Sequence, residues 1–435
     1  MTSTNSISAT WDAIVIGGGA AGLWAAGTAA ARGKKVLVLE KNNKPGVKIL
    51  MSGGTRCNIT HACSARQISE AYGRQGRFLL SPLSRLTPED VVNQFTAMGV
   101  PSKVEETGKV FPVSDRAIDV RDALVTRLSG FGATLCSGIA VESVDRNKTE
   151  GGFDVRIEGR VFHSPSVLIT TGGLSYAGCG TTGDGYAWLK KMGHTITPLR
   201  PALTPIVSSA NWVHELSGIT IPDCEVVAMP DGKKPKGKEA HLAQSRGGFL
   251  WTHFGCSGPT AMNVSKQFSA PSNVAGDFEN ACLAIDLQPE VSLPELQAWL
   301  EKSSHGTSAQ RQISTVLSER LPKRLVSGLL GNASVPIETR MAELSNRHKS
   351  AILDRMKGWR IPVAGTRGYP KAEVTSGGVD LLEVDSQTMQ SRLIPGLFLA
   401  GEILDLDGPI GGYNFQAAWS TGHAAGENMS SDVGF

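Results

Sequence analysis

The amino-acid sequence predicts the α/β fold class, as a parallel-sheet domain interrupted by a β-rich and then a helical insertion. Three observations carry that prediction. A short apolar run, Ala13-Ile14-Val15-Ile16, leads through a glycine-rich turn and a helical stretch into a second apolar run, Lys35 to Leu39. That is the pattern of two buried parallel strands joined by a crossover helix. The same pattern returns near the other end, where Leu397-Phe398-Leu399-Ala400 precedes a helical stretch from Gln416 to Asn428. Between them the character changes: from about Thr195 to Leu287 prolines and short alternating runs dominate, and from Leu293 to Gly358 the apolar spacing is helical.

Taken in order, Gly22 to Arg32 reads as the helix of the first βαβ unit, and Pro88 to Gly99 and Asp119 to Leu128 read as helices. Ala133 to Val144 reads as strand, Phe153 to Ile157 as a hairpin strand, and Val167-Leu168-Ile169-Thr170 as another buried strand. At 435 residues the chain exceeds a single core of about 250–300 residues. The expected division is residues 1–194 with 376–435 for the sheet domain, 195–287 with 359–375 for the β-rich part, and 288–358 for the helical insert.

Composition narrows the class. Hydrophobic residues at 40%, charged residues at 19% and 50 glycines exclude a disordered or fibrous chain and describe a globular one with many tight turns. The net charge of +3 is unevenly spread: Glu301 to Arg360 holds 11 Lys or Arg against 5 Asp or Glu, so the remainder is net negative by 3. A solvated helical face and an anionic partner such as RNA account for that surplus equally well. A basic turn, Asp231 to Lys238, reads as a hairpin tip that could also touch phosphate. Seven scattered cysteines (57, 63, 136, 179, 224, 256 and 282) without a C-x-x-C pair suggest a reducing compartment, with neither a disulfide framework nor a metal site. The first residues lack signal-peptide order, so a cytoplasmic location is expected. Ala13 to Ala31 is uncharged, but glycine and alanine dominate it, and a βα turn explains it better than a membrane span.

The chemistry begins at Gly17-Gly18-Gly19-Ala20-Ala21-Gly22. Its G-x-G-x-x-G spacing lies between strand and helix, where small residues let a pyrophosphate approach the backbone and the helix N-terminus supplies N–H donors. Glu40 ends the next strand 18 residues after Gly22, placed to accept from a ribose hydroxyl. A second such spacing at Gly178, Gly180 and Gly183 follows no strand directly and has no strand-ending acid after it, so it reads as a loop, and a separate NAD(P)H domain is not expected. Lys41 to Thr60 is a segment no plain helix or core strand requires: Lys48 and Arg56 can neutralise phosphate, and amides from Ser52 to Thr55 can face a flavin ring. Gly401-Glu402 through Gln416 sets an acid after a buried strand and glycines at a helix start, which suits a ribityl chain and the pyrimidine edge of a flavin.

These blocks, together with VFPVSDRA at 110–117, Thr171-Gly172-Gly173 and THFGCSGP at 252–259, resemble the bacterial FAD-binding flavoproteins called aminoacetone-oxidase-like or bile-acid-reductase-like, over nearly the whole chain. The resemblance implies a Rossmann-like FAD-binding domain of the glutathione-reductase type, interrupted by a β-barrel domain and a small helical insert. It implies FAD as cofactor, with Gly17, Gly19, Ala21, Gly22, Glu40, Lys41, Lys48, Ser52, Arg56, Cys57, Asn58, Val141, Thr171, Gly172, Gly401, Glu402, Gly412, Tyr413 and Asn414 as cofactor-binding positions. Two departures stand out: Val47 where the family usually has Arg, and Thr55 where it usually has Gly. LPKRLV at 321–326, TRGY at 366–369 and AEVTSGGV at 372–379 look like the family's ribosomal RNA dihydrouridine synthase branch.

The resulting expectation is an FAD-dependent oxidoreductase that takes hydride from a transiently docked NAD(P)H and reduces uridine to dihydrouridine in 23S ribosomal RNA. The alternatives are a reductase of small conjugated carbonyls, an amine oxidase of aminoacetone type, and a flavoprotein without turnover. Saturating a C=C bond needs a proton donor. Cys57 is the first candidate and equally a small buried hydrophobe. His253 is the second, though a structural histidine is the more common outcome, and Tyr413 could donate, stack or simply cap the last helix.

Overall fold

The computed structural model describes residues 11–237, 240–270 and 278–429. Lys238, the last residue of the basic turn, lies outside them. The chain forms two compact units, Met1–Leu199 with Val374–Phe435, and Arg200–Glu373.

The first unit is built on β1 (Ala13–Ile16), α1 (Ala20–Ala31), β2 (Val36–Glu40), β3 (Thr134–Ser137), β4 (Ser166–Ile169), β5 (Leu397–Leu399) and α2 (Tyr413–Asn428). The sheet order is β5-β4-β1-β2-β3, and every neighbouring pair is parallel. Every residue of β1, β2, β4 and β5 is buried. A strand covered on both faces has no polar side to present, hence the continuous apolar runs in the sequence. Two small antiparallel sheets accompany it, one of Thr60–His61, Lys109–Pro112 and Ser102–Val104, the other of Val141–Arg146, Phe153–Ile157 and Arg160–Ser164.

Two of the differences from the sequence reading have a clear local cause. The stretch 133–144 is not one strand: it breaks at Gly138 (φ 76°), where the Gly138 and Ile139 N–H groups donate to the Asn42 and Glu40 carbonyls. α2 starts three residues before Gln416, because Gly412 (φ 95°) turns the chain where its absent Cβ would lie 2.4 Å from the Thr60 carbonyl. Helices α1 and α2 lie against each other over a buried aromatic group, Trp24, Phe95 and Trp419, with ring centroids 5.4–5.7 Å apart. The Trp419 indole N–H donates to the Ile59 carbonyl at 2.9 Å, tying α2 to the segment that follows Cys57.

The second unit holds a seven-stranded antiparallel sheet in the order Trp359–Pro362, Cys282–Asp286, Thr220–Met229, Gln244–Thr252, Gly255–Ser257, Ile206–Val207 and Gly365–Thr366. Its first and last strands are separated in sequence only by Val363 and Ala364, so one bent segment pairs with both ends and closes the sheet into a barrel. Closure removes the open edges. Helices Leu293–Ser303, Lys323–Asn332 and Asn346–Gly358 bury Leu296, Leu325, Leu329 and Ile352 in the same core as Val226, Phe249, Trp251 and Ile285 of the strands. No described helix is long and apolar enough to cross a membrane.

Candidate cofactor and active site

The glycine turn fits tightly on one side and is open on the other. A Cβ on Gly17 would lie 2.5 Å from the Thr170 carbonyl oxygen, and one on Gly22 would lie 2.0 Å from the Gly17 carbonyl oxygen. Thr170 Oγ1 donates to the Ile16 and Gly17 carbonyls at 3.0 and 2.9 Å, so β4 braces the turn. At Gly19, by contrast, a Cβ would meet nothing within 4 Å, which leaves the backbone accessible from that side. α1 has no side-chain cap and no acid in its first turn. Helices elsewhere in this unit do carry capping boxes, Ser64 with Gln67 and Thr87 with Asp90. An uncapped N-terminus with an open glycine in front of it offers orphan N–H donors and a positive dipole to an anion.

Glu40 sits 7% exposed at the end of β2. Its Oε2 accepts from the Gly18 N–H at 2.7 Å and its Oε1 from the Asn42 N–H at 2.8 Å, which fixes the carboxylate while leaving each oxygen a lone pair for a ribose hydroxyl. Lys41 turns away to Thr182 and Asp184, at 2.5 and 2.7 Å. Val141 opens a hairpin strand just beyond the Gly138–Ile139 turn that is bonded to Glu40 and Asn42. Gly401 is seated on α1, since its Cβ would lie 2.9 Å from the Ala21 Cβ. Two positions expected at the cofactor carry buried polar atoms without a partner among the described residues, Thr171 Oγ1 and Asn58 Oδ1. An unsatisfied buried acceptor costs about 1–3 kcal/mol, so these two atoms fit a polar ligand.

The second half of the site is organised by side chains bonded to one another. Lys48 Nζ reaches Glu402 Oε2 at 2.5 Å and the Ser175 hydroxyl at 2.8 Å. Glu402 Oε1 also accepts from Ser175 Oγ at 2.6 Å and from the Thr375 N–H at 2.9 Å. Four distant segments are thereby tied together. The loop from Gly53 to Cys57 is left-handed at Gly53, Gly54, Thr55 and Cys57 (φ 55°, 66°, 70° and 62°). The family's usual Gly at position 55 suits that geometry, whereas a β-branched threonine there is strained. Gly412 precedes α2, which like α1 has neither a side-chain cap nor an early acid. Tyr413, its first residue, is half-buried and stacked on His61, with centroids 4.8 Å apart and planes at 23°. Burial raises the Tyr413 phenol above its ordinary value.

These contacts give several of the expected site residues partners within the chain. Arg56 is not a free phosphate counter-charge: it pairs with Glu105 at 2.7 Å, approaches Asp115 at 3.5 Å and stacks over Phe111 at 3.9 Å. Lys48 is likewise committed, to Glu402. Glu402 thus holds Lys48, Ser175 and the Thr375 N–H, with Lys48 as the donor to Oε2. The Asn414 side chain bonds Gly408 and Pro409 and shapes the turn before α2, leaving its backbone N–H in the first helical turn. Cys57 is fully buried, and burial pushes its thiol up to about 12, with Ser52 nearby. This enclosure agrees with the alternative reading of Cys57 as a small buried hydrophobe. Ser52 Oγ donates to the Ile49 carbonyl, and Gly172 (φ 71°) faces Thr181 across the loop after β4. His253 belongs to the second unit, at the turn between Gln244–Thr252 and Gly255–Ser257, with its ring edge-on to Phe254. Gly178, Gly180 and Gly183 lie in the loop between β4 and helix Asp184–Lys191, as the sequence suggested.

Sequence reasoning missed His61, Ser175, Thr375 and Thr170. Only proximity to a flagged motif could have found them, since Thr170 adjoins Thr171-Gly172 and Thr375 lies in the 372–379 block. No spacing rule pairs Lys48 with Glu402 across 354 residues.

The sequence profile of the HI0933-like protein Rossmann domain matches residues 11–428. This chain belongs to the HI0933-like family. It is 33% identical over 423 residues to the ribosomal RNA dihydrouridine synthase of Escherichia coli strain K12, covering 96% of this chain and 98% of that one. It is 29% identical over 419 residues to the 3-dehydro-bile acid delta(4,6)-reductase of Clostridium scindens, covering 95% and 97%. Its fold is shared with the 3-ketosteroid delta1-dehydrogenase of Sterolibacterium denitrificans, at 14% identity and a TM-score of 0.52 over 97% of this chain and 99% of that one. The HI0933-like chain is thus an FAD-binding flavoprotein of the oxidoreductase class. The residues present fit that cofactor: the open glycine turn, two uncapped helix starts, the fixed Glu40 carboxylate and the unpartnered Asn58 and Thr171 atoms.

Proposed function

We propose that this flavoprotein reduces uridine to dihydrouridine in 23S ribosomal RNA, with NAD(P)H as the hydride source. The full-length likeness to a ribosomal RNA dihydrouridine synthase carries the reading, and the built dinucleotide site supports it. FAD, held by these residues and reduced at the expense of NAD(P)H, would supply the hydride chemistry for saturating the uracil C=C bond, which also requires a proton at the neighbouring carbon. The chain's own residues have three tasks. The α1 start, Gly19 and Glu40 bind the ADP half, and the α2 start faces negative charge with uncapped N–H groups. The Lys48–Glu402–Ser175 contacts fix the loops that carry Asn58 and Gly401. Tyr413 Oη is the proton donor in this reading, since it is half-buried, keeps its proton at neutral pH and is oriented by the His61 stack.

The test uses purified, FAD-loaded protein without oxygen. NADH or NADPH should bleach the flavin, unmodified 23S RNA should restore its colour, and mass spectrometry should find dihydrouridine in that RNA. Tyr413→Phe should slow the second step and leave the first. The second reading, a reductase of small conjugated carbonyls, is favoured by the likeness to the bile-acid reductase. It gains the field if enones, and not RNA, reoxidise the flavin.

A further inference from the structure

The basic surplus of the helical stretch is not neutralised where it is most exposed. Of its 11 cations, Arg311, Lys349 and Lys357 pair with Glu319, Glu301 and Asp286. Lys323 and Arg324, both exposed at the start of helix Lys323–Asn332, have no carboxylate partner among the described residues. Arg324 Nη2 is instead held by the carbonyls of Glu215 and Ser217, at 3.1 and 3.2 Å, so its charge is positioned but not cancelled. Arg320, just upstream, lies over the Trp299 ring at 4.5 Å and, among the described residues, bonds only the neutral Gln288 amide. Glu215, whose carbonyl holds Arg324, also carries an exposed carboxylate, one acid against the two cations Lys323 and Arg324. It leaves the surplus positive.

The same helix leads to a flat aromatic. Its inner face buries Leu325, Val326, Leu329 and Leu330, while Lys323, Ser327 and Gly331, four residues apart, are exposed along the outer face. At its far end Asn332 Oδ1 accepts from the Trp359 indole at 3.1 Å, and Trp359 is stacked on half-buried Trp212 at 4.7 Å with planes 4° apart. Trp212 belongs to helix Asn211–Glu215, the helix whose last carbonyl holds Arg324. Uncancelled cations and a rigid indole therefore flank one helix of about 15 Å, separated by small side chains. Positive charge for phosphates and an aromatic face for a base are what single-stranded RNA recognition requires.

We propose that the outer face of helix Lys323–Asn332, with Arg320, Lys323, Arg324 and Trp212, is a docking surface for a single-stranded segment of the ribosomal RNA substrate. The inference rests on the RNA reading above. Phosphates meet the cations and a base stacks at Trp212, outside the cofactor site.

The test measures binding of protein-free 23S RNA to the FAD-loaded full chain across a salt series, for wild type, K323E/R324E and Trp212→Leu. The charge variant should weaken binding at low salt by tenfold or more and flatten the dependence of log K on log salt by about 1.4, at about 0.7 per lost phosphate contact. Trp212→Leu should weaken binding about tenfold with the slope unchanged. Flavin content and NAD(P)H bleaching should stay at wild-type level in both, which separates docking from misfolding. Wild-type binding and slope in both variants, with dihydrouridine still formed, would overturn the docking surface and spare the reaction. Absence of RNA binding and of dihydrouridine in the wild type would overturn both.

Discussion

The two ends of the cofactor site are built in different ways. At the ADP end, Gly17, Gly22 and Thr170 pack backbone against backbone, and the ligand is met by N–H groups and a single fixed carboxylate, Glu40. At the flavin end, side chains make the contacts: Lys48 with Glu402, 354 residues away, and with Ser175, Arg56 with Glu105, and Asn414 with the Gly408 backbone. The first end is rigid because atoms would overlap if it changed. The second is held by polar contacts that can be removed one at a time. Substitutions at the first should therefore abolish cofactor binding, and substitutions at the second should detune it.

Gly22→Ala gives the largest expected effect. With a Cβ 2.0 Å from the Gly17 carbonyl, α1 must separate from the turn, at a cost of about 3 kcal/mol or more. The purified variant should be colourless; a fully flavinated one would show the turn to be pliant. Lys48→Met comes next. It removes one partner of an ion pair whose side chains are 29% and 18% exposed, and because Ser175 and the Thr375 N–H remain on Glu402, the expected cost is about 1–2 kcal/mol, with weaker FAD binding. In a double-mutant cycle with Glu402→Gln, the combined loss should be smaller than the sum of the two. Additive losses would show that the pair does not act as a unit.

What was legible in the sequence follows the same division. The ADP end was readable because glycine spacing reports backbone geometry directly, and β1, α1, β2 and Glu40 lie where the motif predicts. The buried strands were readable because full burial leaves continuous apolar runs, as in β4 and β5. The flavin end was recognised as a region, while the partners its side chains take within the chain were not legible. Arg56 and Cys57 sit in the right loop, but Glu105 and Asp115 claim the guanidinium, and complete burial encloses the thiol. Such pairings depend on tertiary placement, which local spacing does not encode. The barrel came from the resemblance and not from any local pattern, since its closure depends on one bent segment, 359–366, pairing at both ends.

Behind the ADP end, α1 and α2 meet at His423, whose Nδ1 lies 3.4 Å from Thr28 Oγ1. Burial, the largest influence, lowers its pKa below the ordinary 6.5, and Arg127 and Arg85 act in the same direction. The unfolded chain therefore binds the proton at higher pH than the folded one does. Stability should fall as pH drops below about 6.5 and level off once the folded-state histidine is also protonated. His423→Gln should flatten that part of a urea-unfolding profile against pH; an unaltered slope would assign it to other groups. The smallest expected effect is at Thr55. Thr55→Gly relieves a left-handed threonine worth about 1–2 kcal/mol, against a glycine entropy cost of about 0.5–1 kcal/mol. A net gain of about 0.5 kcal/mol should raise Tm by about 1–2 °C. A fall in Tm would mean the side chain contributes more than the strain it carries.

The central claim is the identity of the substrate, and it is tested most directly by mapping dihydrouridine in ribosomal RNA by mass spectrometry. The cells to compare lack this protein, carry it restored, or carry it as Gly22→Ala. The account predicts that one dihydrouridine disappears without the protein, returns with the wild type and stays absent with Gly22→Ala. An RNA profile identical in all three would contradict it and point to a small conjugated carbonyl as the molecule this flavoprotein reduces.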